Sequence, residues 1–227
     1  MISISKLIGN TLRLIKWPLA LVVIYFYPQI FFTFISAAND FIRNASPAFL
    51  IGALLFLFSI FNYSSKWLTF EHELAHYIFA KLTFKQKVKM EVYDDSQDGP
   101  FAGSCTWITH NEDDWLIFIA PYFFPTLTLS LSLFYLIPLD GISSVTVGPI
   151  YLNDIIIMIL DFLVGFSIAF HLKSNIWELW YNFTTQKRKE EEIIGNDVAS
   201  MGWPYALIMI PALNFIVFSY IFSVLTL

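Results

Sequence analysis

Phe70-Glu71-His72-Glu73-Leu74-Ala75-His76 is a polar island in an otherwise apolar chain. Histidines four residues apart fall on one face of a helix, one turn above each other, so both imidazoles can reach a single metal ion. Glu73, beside the first histidine, is then placed to act as general base for a water that the metal activates. Two histidines and two glutamates near membrane depth are costly, and such groups are kept there where they have a task.

The surroundings set that depth. Of 227 residues, 57% are hydrophobic and 14% charged, with a mean hydropathy of +0.63. Soluble domains carry roughly a quarter charged residues, so the composition is that of an integral membrane protein. The 24 Phe, 11 Tyr and 7 Trp suit lipid contact and interfacial anchoring. A net charge of -5 with no basic face argues against nucleic-acid binding. Cys105 is the one cysteine, which excludes an internal disulfide and a cysteine-based zinc finger.

Working outward from the motif, the expected fold is an all-α, multi-pass membrane domain over residues 1–227. About six transmembrane helices are expected, at 12–38, 47–63, 66–84, 115–138, 153–172 and 203–227. The first apolar run is too long for a signal-peptide core and reads as a retained helix. Residues 39–44 read as a polar loop, and 173–202, centred on the charge run 186–192, as a second one. Between them, 85–109 alternates apolar and polar residues around the turn formers Asp94-Asp95-Ser96-Gln97-Asp98-Gly99-Pro100, which predicts a β-hairpin. The positive-inside rule favours a cytoplasmic location for Lys81, Lys85, Lys87, Lys89 and Lys187-Arg188-Lys189, yet six spans would then leave the basic N-terminus outside.

A catalytic zinc takes three protein ligands and leaves a fourth position open. His72 and His76 supply two, and three residues compete for the third. Asp161 stands alone in the apolar run 155–165, where an ionisable side chain needs a partner. Asp140, in Leu139-Asp140-Gly141, also reads as a turn. His171 lies ten residues after Asp161, about 15 Å along a helix, so those two would not share one ion. His110 and Cys105, in the hairpin region, are weaker candidates.

The motif His72-Glu73-Leu74-Ala75-His76 in a membrane helix resembles the site-2 protease family of intramembrane zinc metalloproteases. The resemblance extends over about residues 66–172. It takes in the hairpin after the motif helix and Ala120-Pro121-Tyr122-Phe123-Phe124-Pro125, similar to the small-residue and proline pattern of that family. It implies a Zn2+ cofactor, hydrolysis of a peptide bond in or near a transmembrane segment of a membrane protein substrate, and an aspartate third ligand. That aspartate is commonly preceded two helical turns earlier by an asparagine. Asn153 stands eight residues before Asp161 and reproduces this spacing, which makes Asp161 the expected ligand and Asn153 a candidate substrate-binding residue. The Leu-Asp-Gly context of the family is found instead at Asp140. A strand edge of the hairpin would hold the unwound substrate, and Glu71 would mark the entry of water. Two other classes remain: a catalytically inactive membrane scaffold, and a metal or proton transporter using His72, His76 and Asp161.

Overall fold

Helix caps and helix breaks, more than hydropathy, set the element boundaries. The structure is a computed structural model that describes residues 4–58, 65–92, 103–108, 114–136, 146–147, 150–185 and 197–226. Helix α1 (Ile4–Asn44) has 41 residues, or about 60 Å, and runs through Pro18 and Pro28. The loop expected at 39–44 is instead the last turn of this helix. Asp40, Arg43 and Asn44 are exposed while Phe41 is buried against Phe49 and Phe222, so a polar helix end serves where a loop was anticipated. The break falls two residues later, where the Ser46 hydroxyl accepts the Phe49 amide at 3.2 Å and Pro47 opens α2 (Pro47–Phe58).

Helix α3 (Ser65–Leu82) carries the motif. It stops in a Schellman arrangement: Phe84 adopts a φ of 57°, the Lys85 amide donates to Ala80 at 2.9 Å, and the Phe84 amide donates to Lys81 at 3.0 Å. The chain passes straight into strand β1 (Gln86–Val92), which pairs antiparallel with β2 (Gly103–Ile108) and has an irregularity between Gln86 and Lys89. The hairpin expected at 85–109 is therefore present; its turn lies outside the described residues. Helix α4 (Trp115–Phe123) and helix α5 (Thr126–Ser132), with its 3-10 extension Leu133–Leu136, meet at a 62° bend. A two-residue ladder of β3 (Thr146–Val147) and β4 (Ile150–Tyr151) precedes helix α6 (Leu152–Thr185). The short helix α7 (Asp197–Met201) and helix α8 (Trp203–Leu225) follow.

Among the described residues, three helices are long and apolar enough to cross a membrane: Ile4–Asn44, Leu152–Trp180 and Trp203–Leu225. The bent pair α4–α5 makes a fourth if counted as one span. The six expected segments are thus only partly matched, since the described part of α2 has 12 residues and α3 is not among the long apolar helices. The expected loop 173–202 is also revised, because α6 continues to Thr185 and α7 occupies 197–201.

Helices pack as α1 on α8, α2 on α6 and α3 on α4. Gly52 and Gly165 let α2 and α6 touch backbone to backbone, because a Cβ on either would collide with a carbonyl of the facing helix (Phe162 and Phe49 respectively). Gly165→Ala is expected to lower stability by about 1–3 kcal/mol through forced separation of this pair, measured as a lowered unfolding midpoint in detergent.

Candidate metal centre

The site forms where α3, α4, α6 and α7 meet. His72 and His76 project from one face of α3, as their spacing requires, with ring centroids 4.7 Å apart. Each imidazole is fixed through Nδ1. His76 Nδ1 donates to the carbonyl of Ile117 on α4 at 2.9 Å. His72 Nδ1 lies 2.9 Å from Glu178 Oε2 on α6, and Glu178 Oε1 in turn accepts the Tyr122 hydroxyl at 2.5 Å. A carbonyl and a carboxylate can only accept, so both hydrogens sit on Nδ1 and both Nε2 lone pairs face inward.

The third inward-facing group is Asp197, the first residue of α7. Its Oδ2 is 2.9 Å from His76 Nε2 and 3.1 Å from His72 Nε2, and the two Nε2 atoms are 3.0 Å apart. Three electron-pair donors at this separation repel one another unless a cation stands between them. Zinc held about 2.0–2.1 Å from each would set tetrahedral ligands roughly 3.3 Å apart, which small side-chain shifts provide. The residues therefore fit a divalent ion in a His2Asp set with an outer shell already in place. A proton on an imidazole Nε2 would fill the place of that cation: burial opposes ionisation of Asp197, but protonated His76, the hydrogen bonds that Nε2–H groups would donate and the charge of a protonated His72 outweigh it. The carboxyl is held well below the usual carboxylate range and stays an anion.

Asp197 is positioned by packing rather than by its own helix, which at five residues has no independent stability. Val198 and Met201 are buried with Trp115, Ile119, Tyr122 and Tyr205 and anchor α7 against α4 and α8. Gly202 at φ 90° makes the sharp turn from α7 into α8, in a region that L side chains avoid.

Glu73 is buried beside this cluster, within electrostatic range of both histidines and Asp197. Strand β2 begins directly against it: a Cβ on Gly103 would meet Thr69 and would lie 3.1 Å from Glu73 Cγ. Cys105 on β2 also faces this region. Burial first, then the charges of Glu73 and Asp197, push its thiol up to about 12, and its sulfur is not among the three converging ligand atoms.

The other expected residues lie elsewhere. Asp161 accepts the Tyr135 hydroxyl at 2.5 Å, so its partner is a tyrosine and not the histidine pair. Asn153 accepts the Asp154 amide at 2.9 Å at the start of α6. His171 is buried with Nε2 2.9 Å from the Asn175 amide nitrogen, and supports α4 through Asn175 rather than joining the cluster. Asp140 and His110 lie outside the described residues. Glu71 accepts from Thr126 Oγ1 at 3.2 Å and, more weakly, from the Leu127 amide at 3.5 Å, and so caps the first turn of α5.

Sequence reasoning missed two members, Asp197 and Glu178. Ser167, His171, Asn175 and Glu178 fall on one buried face of α6 at helical spacing, a signal hidden when 173–202 was read as loop. Asp197 had only a faint signal, an acid opening a short segment before Gly202 and Pro204.

No protein-family model, curated protein or solved structure matches this chain. None of these comparisons supports the resemblance to site-2 proteases, which is carried by the sequence motif alone.

Asp197→Ala is expected to weaken zinc binding by more than the roughly 10–100-fold that losing an outer-shell partner costs. Glu178→Ala should fall within that range, and Asp161→Ala should leave affinity unchanged. Chelator competition on detergent-purified protein measures all three.

Proposed function

We propose that this chain is a multi-pass membrane zinc metalloprotease, similar in its motif to site-2 proteases. It would hydrolyse a peptide bond in or near a transmembrane segment of another membrane protein. The observation that carries this reading is the convergence of His72 Nε2, His76 Nε2 and Asp197 Oδ2 beside the buried Glu73. Zinc bound there would supply Lewis acidity and lower the pKa of a water.

The remaining chemistry belongs to the chain. Glu73 takes a proton from the attacking water and passes it to the leaving amine, a role for which its place next to His72 is suited. His72 and His76, held through Nδ1 by Glu178 and the Ile117 carbonyl, keep their lone pairs on the reacting side throughout. A substrate helix must unwind before its carbonyl is reachable, since its backbone groups are otherwise bonded internally. The β1–β2 ladder, starting at Gly103 against Glu73, offers a strand edge next to the reacting groups onto which an unwound segment can add. The buried polar chain also suits a proton or metal transporter, but that reading gives Glu73 no task.

Glu73→Gln decides between the classes. With a panel of quenched-fluorescence transmembrane peptides in detergent, the variant is expected to retain one zinc per chain and lose about 10²–10⁴-fold in turnover. Turnover at the wild-type rate, or a wild type that takes up no zinc, would overturn the proposal.

A further inference from the structure

The hydrogen bond that orients His76 depends on an acceptor that α4 should not have to spare. In an α-helix the carbonyl of residue i accepts from the amide of residue i+4. The carbonyl of Ile117 would be engaged by residue 121, and residue 121 is proline, which has no N–H. Ile117 is 1% exposed, so water cannot fill the vacancy, and an unpaired buried carbonyl is costly. His76 Nδ1 takes it at 2.9 Å. Pro121 itself is buried inside the helix with Ala120 and Tyr122 on either side.

We propose that Pro121 is a positioning residue: by deleting one N–H from α4, it reserves the Ile117 carbonyl for His76 and so fixes which imidazole nitrogen faces the metal. This rests on the metal-centre reading but not on proteolysis. Histidine ligands elsewhere are oriented by a carboxylate or carbonyl on the other ring nitrogen, and His72 has such a carboxylate in Glu178. His76 has instead a backbone carbonyl on a helix that would normally consume it. The same helix uses its second break similarly. The Tyr122 carbonyl, beyond which α4 ends, accepts the side-chain amides of Asn175 at 2.8 Å and Asn214 at 2.7 Å.

The test compares wild type with Pro121→Ala in the full-length chain, which restores the competing N–H and favours the helix. Pro211→Ala, in α8, controls for removing a helical proline. Zinc affinity is read by chelator competition, and the His76 protonation pattern by ¹⁵N shifts of labelled histidine in metal-free and zinc-loaded protein. Pro121→Ala is expected to weaken zinc about 10–100-fold and to shift His76 Nδ1 away from its donor state, with Pro211→Ala unchanged. Placing lactic acid at position 121, which has alanine's side chain but an ester linkage without N–H, should restore both readouts. Wild-type affinity and ¹⁵N shifts in Pro121→Ala, or failure of the ester to rescue, would overturn the proposal while leaving the metal centre standing. A wild type without zinc would remove the metal centre, and the metal-free ¹⁵N shifts would still report whether position 121 controls His76.

Discussion

Two imidazole lone pairs and a carboxylate oxygen aimed at the same point constitute an electrostatic debt that the fold is arranged around. Positive charge between the three atoms, a proton or a metal ion, offsets it. The geometry persists because every atom behind the cluster is committed: one Nδ1 to a carboxylate, the other to a backbone carbonyl, and that carboxylate to a tyrosine hydroxyl. Rotating either ring to escape the repulsion would strand a buried donor, which is itself costly.

The second recurring constraint is what becomes of backbone groups where helices stop inside an apolar environment. At the α4–α5 bend, the orphaned carbonyls go to His76, Asn175 and Asn214, and the first turn of α5 is capped by Glu71 from α3. The polar side chains of α3, α6 and α8 thus serve the broken helix as much as the His72–His76–Asp197 cluster. At the other end of α4, Asp114 receives the Trp107 indole at 2.7 Å and pairs with Lys85 at 2.6 Å. One acidic residue thereby joins the exit of the motif helix, the hairpin and the helix that holds His76.

What could be read in the sequence follows the range of the interaction. His72, Glu73 and His76 were legible because four-residue spacing on a helix is local geometry. The hairpin was legible because alternation with period two is local as well. Asp197 was not, since its contact with His76 spans 121 positions and no local pattern encodes a distance. Asp161 drew attention by its isolation in an apolar run, but its partner is Tyr135, 26 positions earlier and uncharged. Mean polarity misplaced the end of α6: the helix continues because one face carries Asn175 and Glu178 inward while Trp177 and Trp180 face out.

The position of Asp197 on a five-residue helix has a mechanical meaning as well as a chemical one. Both histidines belong to a long helix in the first half of the chain, whereas this carboxylate leads directly into the last one. An ion gripped by all three closes a loop of more than a hundred residues, the kind of closure that removes most freedom from an unfolded chain. The metal would then be a rivet, fastening the C-terminal helix to the motif helix, and its loss would loosen architecture and chemistry together.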